Sequence, residues 1–263
     1  MTDIKLIATD IDGTLFDSDK NYNVKRFNDY LEKLHHQNID FAVASGNNLD
    51  HLKRIFADSP NIDIFIAENG AQVINKQAVL FEQFIPNDLV VKMINVLRAN
   101  LQLDSMSLSG KKASYSESLE NLPLYHMGNL VKVDDLTAVK DDIFKFNIQL
   151  PADDLPTAED FINDNYGDLV HAAASGFGSI DIMSSGVNKS VGLHHLTKKL
   201  PYDLNNVMTF GDNTNDLEMI QDAGLGVAML NSKQQVKDAA DLITKTDNNH
   251  DGVLNTIQDF FNF

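Results

Sequence analysis

Short apolar runs alternate along the chain with stretches whose apolar residues fall three and four positions apart. Ile4–Ala8 (IKLIA) is apolar and turn-bounded, which predicts a buried strand. Val24–His36 puts Phe27, Tyr30, Leu31 and Leu34 on one helical face. Ile39–Ala44 predicts a strand ending in Ser45-Gly46, Leu49–Ala57 a helix, and Asn61–Ala67 a third strand ending in Glu68-Asn69-Gly70. The C-terminal part resumes this order. It predicts a helix over 190–200, a strand at Asn206–Phe210 running into Gly211-Asp212, and a helix over 214–222. A short strand at Gly226–Met229, a helix from Lys233, a strand at Leu242–Thr244 and a last helix toward Phe261 complete it. Strand and helix in strict alternation predict a doubly wound parallel sheet, an α/β fold.

The middle of the chain follows another rule. A helix at Asp88–Asn100 and a strand-like stretch at Leu103–Leu108 give way to polar loops, then to a strand at Phe144–Leu150 and a helix at Thr157–Tyr166. Two strands, Leu169–Ala174 and Ser179–Met183, flank the turn Ser175-Gly176-Phe177-Gly178. Neighbouring strand pairs predict an antiparallel, helix-covered α+β insert. Pro and Gly gather near 83–87 and 184–188, which places the core at 1–82 and 186–263 and the insert at 83–185.

Composition narrows the function. The 263 residues are 43% hydrophobic and carry a formal net charge of −17, the opposite of a nucleic-acid or anionic-membrane binder. An anionic substrate would therefore need local positive charge. Cysteine is absent, which removes thiolate nucleophiles and cysteine-held zinc. The start, MTDIKLIATD, lacks the basic opening and long apolar run of a secretory signal, and no run reaches the roughly 20 residues that cross a bilayer. A cytoplasmic protein is expected.

The strand ends carry the chemistry. Ligands bind beyond the carboxyl ends of parallel strands, and four such ends here bear Asp10 and Asp12, Ser45, Asn69, and Asp212. Residues two apart leave a strand on the same side, so Asp10 and Asp12 can meet one ligand. Crowded carboxylates repel by about 4 kcal/mol per pair at about 4 Å and an effective dielectric near 20. A divalent cation reverses that sign, and hard oxygen donors suit Mg²⁺ better than Zn²⁺, so the cluster implies a metal, strongly raised pKa values, or both. Carboxylate, metal, the ammonium of Lys189 and a hydroxyl are also what phosphoryl transfer needs. One aspartate can attack phosphorus and the other can move the proton.

The stretches DIDGT at 10–14, SG at 45–46, NK at 188–189 and GDNTND at 211–216 resemble the four motifs of the haloacid dehalogenase (HAD) superfamily, in order and across the whole chain. AENGA at 67–71 and the large insert between the second and third motifs resemble the Cof-type sugar-phosphate phosphatases. The resemblance implies a HAD-like Rossmannoid core with an inserted cap, and an Mg²⁺-dependent hydrolysis of a small phosphorylated metabolite through an aspartyl-phosphate. By it, Asp10 is the nucleophile and Asp12 the general acid and base. The Asp10 side chain, the Asp12 carbonyl and Asp212 would hold the metal, with Asp216 in support. Ser45, Gly46 and Lys189 would hold the phosphoryl oxygens, and Asn215 would orient them. Many relatives read Thr-Gly-Arg where this chain has Ser45-Gly46-Asn47, so Asn47 offers no positive charge to a substrate.

Blander readings compete. Asn69-Gly70 serves equally as a hairpin turn. His35-His36 and His194-His195 point about 100° apart on their helices and chelate one ion poorly. A phosphomutase of the same superfamily and a phosphometabolite-binding protein without catalysis are the alternative functions. The expected state is a monomer or homodimer, with no nucleic acid and no membrane as partner, and substrate choice is expected in loops around 108–127 and 175–179.

Overall fold

The structure, a computed structural model, describes residues 3–120, 122, 128–175 and 178–263. It opens with β1 (Leu6–Thr9), α1 (Val24–His36), β2 (Asp40–Ala44), α2 (Leu49–Ile55) and β3 (Ile64–Ala67). The antiparallel partner of β3, β4 (Gln72–Asn75), and the edge strand β5 (Ala78–Glu82) follow. Then come α3 (Asn87–Asn100), β6 (Ser105–Gly110), β7 (Ser114–Ser116), β8 (Leu130–Lys132), β9 (Ile143–Gln149), α4 (Leu155–Tyr166), β10 (Val170–Ser175) and β11 (Ser179–Ser184). The chain ends with α5 (Lys189–Thr197), β12 (Val207–Gly211), α6 (Leu217–Asp222), β13 (Leu225–Ala228), α7 (Gln234–Ala239), β14 (Leu242–Ile243) and α8 (Gly252–Phe261).

Contacts divide the chain into two compact units, one of Met1–Gly46, Leu52–Phe81 and Asn188–Phe263, the other of Asn47–His51 and Glu82–Val187. The first holds an eight-stranded sheet in the order β14-β13-β12-β1-β2-β3-β4-β5. From β14 to β3 every pairing is parallel. Strands β1 and β3 are buried along their whole length, because helices cover a parallel sheet on both faces and leave no side for polar residues. Helix α1 seats Phe27, Tyr30, Leu31 and Leu34 as its periodicity predicts, and the Asn23 side chain caps it by accepting the Arg26 N–H. Leu6, Ala42, Ile66, Leu193 and Val207 belong to one of this unit's apolar clusters.

Two short elements of this unit escape the apolar pattern. Strands β4 and β5 extend the sheet past β3, where only a hairpin turn at Asn69-Gly70 is expected. β5 lies at the edge with half-buried and exposed residues, so it lacks the solid apolar run that marks an inner strand.

The second unit holds a six-stranded sheet, β10-β11-β9-β6-β7-β8, antiparallel except where β8 runs parallel to β7. Met93 and Leu97 of α3 and Ile162 of α4 pack on Leu108, Phe146, Ile148, Ile180 and Ile182 of the strands. Strands β7 and β8 fall where the sequence predicts polar loops: each has three residues, and Ser114 and Ser116 are buried without being apolar. The turn at 176–177 and most of 121–127 lie outside the described residues, and with them parts of both expected substrate-setting loops. Among the described residues no helix is long and apolar enough to cross a membrane.

Candidate active site

Sheet order reverses at β1: the chain steps from β1 to β2 and β3 on one side, while β12, β13 and β14 lie on the other. Such a switch point leaves a crevice at the carboxyl ends of the two strands. Asp10 follows β1 and Asp212 follows β12, and the strands pair with Thr9 opposite Phe210. Asp10 therefore falls opposite Gly211, and Asp212 follows one residue further on the neighbouring strand.

Asp10, Asp212 and Asp216 bring carboxylate oxygens within 4.8 Å of one another. Lys189 reaches between two of them: its Nζ donates to Asp10 Oδ1 at 2.5 Å and to Asp216 Oδ1 at 2.7 Å. The lysine and Asp216 are 0% exposed and Asp10 is 7% exposed. Asp216 is fully engaged, because its Oδ2 accepts the backbone N–H groups of Asp212 and Asn213 at 3.0 and 3.1 Å. It anchors both the lysine and the loop that carries Asp212. Thr14 Oγ1 donates to Asp212 Oδ1 at 3.0 Å, and Lys20 Nζ to Asp12 Oδ1 at 2.7 Å.

Local backbone geometry makes this approach feasible. Gly13 has φ +79°, and a Cβ there would lie 2.6 Å from Asp212 Oδ2. Asn231 Nδ2 donates to the Gly13 carbonyl at 2.8 Å and fixes the turn. Gly70 has φ +99°, and a Cβ there would lie 2.0 Å from the Asn188 carbonyl. Asn188 caps α5 by accepting the Val191 N–H, so the Glu68–Gly70 turn packs directly on the helix start that carries Lys189.

Electrostatics follow from burial. Burial holds the Asp10 carboxyl well above the usual carboxylate range, against the pull of Lys189 and with the charges of Asp216 and Asp212 adding to the rise. Burial pushes the Asp212 carboxyl up to about 6, and Asp216 and Asp12 add to it. Burial alone would lower the Lys189 ammonium; the charges and hydrogen bonds of Asp10 and Asp216 outweigh it and hold it above its ordinary value. The lysine is thus charged, and the acids are short of positive charge. With all four ionised, Asp10, Asp12, Asp212 and Asp216 against Lys189 and Lys20 leave two negative charges, which one divalent cation would neutralise. Among the described residues neither Asp10 Oδ2 nor Asp212 Oδ2 accepts a hydrogen bond. Two hard oxygens in a site deficient in positive charge fit a small hard cation.

A second group of expected residues meets alongside. The Asn69 N–H donates to the Ser45 carbonyl at 3.0 Å and the Ser45 N–H to Ile66 O at 2.8 Å, which pins β2 and β3 at their ends. Asn215 Nδ2 donates to Asn69 Oδ1 at 3.3 Å, and a Cβ on Gly46 would lie 3.1 Å from the Asn69 amide. Ser45, Gly46, Asn69 and Asn215 are thus together. Asn47 is buried and groups with the second unit.

Thr14, Lys20, Asn188 and Asn231 were not singled out by sequence reasoning as site side chains. Thr14 and Asn188 stand inside the quoted motifs, where a hydroxyl after the glycine and an amide before the lysine could have marked them. Lys20 and Asn231 carry no local signal, since each meets its partner only through the folded loops.

Comparison with known proteins agrees with this geometry. A family model described as haloacid dehalogenase-like hydrolase matches residues 7–257. The chain is 32% identical, over 97% of its length and 95% of the relative's, to the 5-amino-6-(5-phospho-D-ribitylamino)uracil phosphatase YbjI of Escherichia coli. It is 28% identical, over 97% of its length and 95% of the relative's, to the phosphatase YcsE of Bacillus subtilis, named for the same substrate. Among solved structures, SMU.1108c of Streptococcus mutans superposes with a TM-score of 0.92 at 30% identity, covering 99% of this chain and 100% of that one. The chain belongs to the haloacid dehalogenase-like hydrolases and is a phosphoric monoester hydrolase of their Cof type.

Proposed function

We propose that the chain hydrolyses a small phosphomonoester with Mg²⁺ as cofactor, through an acyl phosphate formed on Asp10. The observation that carries this reading is the buried Asp10–Lys189–Asp216 contact, with Asp212 beside it, at the switch point of the sheet. Asp10 and Asp212 would hold the ion, with the Asp12 carbonyl as a further donor and Asp216 in support. When bound, the ion supplies positive charge to the phosphoryl oxygens and to the crowded acids.

The chain's own groups do the rest. Lys189 holds Asp10 in place and offers its charge to the phosphoryl group; Ser45, Gly46 and Asn215 provide hydrogen bonds around it. An Asp10 carboxylate oxygen forms a bond to phosphorus as the bond to the leaving oxygen breaks, and Asp12 gives that oxygen a proton. Water then attacks phosphorus, its proton passes to Asp12, and the bond to Asp10 breaks to release phosphate. In this reading residues 1–82 and 186–263 carry the chemistry and the cap, 83–185, selects the substrate. The two relatives named above make 5-amino-6-(5-phospho-D-ribitylamino)uracil the first ester to test.

The test is phosphate release from that ester and from p-nitrophenyl phosphate with Mg²⁺. Acid quench of a phosphorus-labelled reaction should trap label on the protein, released by hydroxylamine as an acyl phosphate is. Asp10→Asn should lose both turnover and label; turnover that persists in Asp10→Asn would remove the nucleophile assignment.

A further inference from the structure

Lys20 takes no part in the reaction above, yet its ammonium donates to Asp12 Oδ1 at 2.7 Å. The chain between them is built to bring this about. Asp17 Oδ1 accepts the N–H groups of Asp19 and Asn21 at 2.9 and 2.8 Å. The Asp17 N–H donates to Asn21 O at 2.8 Å and the Lys20 N–H to Asp17 O at 3.1 Å, which closes a tight loop. Lys20 itself has φ +64°. A side chain other than Gly, Asn or Asp rarely adopts that left-handed conformation unless its surroundings enforce it. Those surroundings include two external braces: the Ser18 N–H donates to Asn249 Oδ1 at 2.9 Å, and Asn248 Nδ2 to Phe16 O at 2.9 Å. Lys20 and Asp12 side chains are 29% and 23% exposed, so the pair is partly shielded from water. The strained, doubly braced loop fixes the ammonium, and the contact restricts where the Asp12 carboxyl can point.

We propose that Lys20 is a positioning residue for Asp12, holding its carboxyl through Oδ1 in the orientation that the proton transfer needs. The inference rests on the general acid and base role proposed for Asp12. In the first step the Asp10–phosphorus bond forms, the phosphorus–leaving-oxygen bond breaks, and the Asp12 proton goes to that oxygen. A leaving group that departs as a stable anion, such as p-nitrophenolate, needs this proton little. A more basic oxygen depends on it.

The experiment compares kcat/KM, which reports the first irreversible step, across phenyl phosphates of graded leaving-group basicity with Mg²⁺ present. Lys20→Met should lose about tenfold on phenyl phosphate and less than about twofold on p-nitrophenyl phosphate, a steeper dependence than wild type. Lys20→Arg, which keeps the charged contact, should restore the wild-type slope; if Lys20→Met does not fold, Lys20→Gln serves in the same comparison. An equal loss across the series, or none, overturns the proposal. Asp12→Asn runs alongside. If it steepens the series while the Lys20 variants do not, only the positioning role fails. If it leaves the wild-type slope intact, the role of Asp12 fails and takes the positioning role with it.

Discussion

Lys189 Nζ donates to Asp216 Oδ1 at 2.7 Å where neither side chain has any solvent exposure. Asp216 also receives the N–H groups of Asp212 and Asn213 through its other oxygen. Removing this carboxylate strands three donors, one of them a buried charge. Asp216→Ala should therefore cost about 3–5 kcal/mol of unfolding free energy. Urea unfolding with an unchanged m-value measures it. A loss below about 1 kcal/mol would mean that water replaces the carboxylate, at odds with the burial.

Asp212 is held at about 6 against an ordinary value of 3.8, chiefly by burial. The folded chain therefore binds this proton more tightly than the unfolded one. Stability is lost as the pH rises through this window, and the cost is complete above the folded value. Asp212→Asn removes the cost while keeping an acceptor for Thr14. Without metal, the variant should exceed wild type by about 3 kcal/mol near neutral pH, with the gap closing toward about pH 4. Mg²⁺ should reverse the order, raising the wild-type midpoint and leaving that of the variant nearly unmoved. Thermal melts across pH, with chelator and with Mg²⁺, read both effects.

Gly70→Ala tests the seat of α5. A Cβ there would lie 2.0 Å from Asn188 O at φ +99°, whereas Gly186, at φ +76°, has open space. Gly186→Ala should cost the left-handed backbone alone, about 1–2 kcal/mol. Gly70→Ala adds a backbone clash at the cap before Lys189, so it should cost clearly more and should also lower kcat. Equal costs for the two variants would show that the turn moves away freely.

Thr14→Val removes the hydroxyl that orients Asp212 and keeps the side chain's shape at a site 1% exposed. Partners that orient a metal ligand typically account for about 10–100-fold in affinity. The Mg²⁺ concentration for half-maximal phosphate release should rise by about tenfold, with the unfolding midpoint little changed. No change in metal dependence would separate Asp212 from the metal.

Much of the fold is legible in the sequence because burial is written locally. Strands β1, β2 and β3 announce themselves as apolar runs, and Phe27, Tyr30, Leu31 and Leu34 mark α1 by spacing alone. The inserted antiparallel sheet follows from paired runs about a turn. Strands β7 and β8 do not show, since three residues are too few for a period and the buried residues of β7, Ser114 and Ser116, are not apolar; the Ser116 hydroxyl donates to Met106 O.

The amino-acid sequence by itself determined that a pair of acids ends the first strand and that a lysine and a second acidic motif follow far down the chain. It determined the alternation from which a parallel sheet, and so a crevice at the carboxyl ends, results. Tertiary structure alone decided which charges meet. Among the described residues, Asp216 gives both oxygens to protein donors while Asp10 and Asp212 each keep one, Thr14 reaches Asp212 across 198 positions, and Lys20 takes hold of Asp12. The reason is that a side chain's exposure repeats with its own helix or strand, whereas its partner is set by strand order and loop closure, which no local period records.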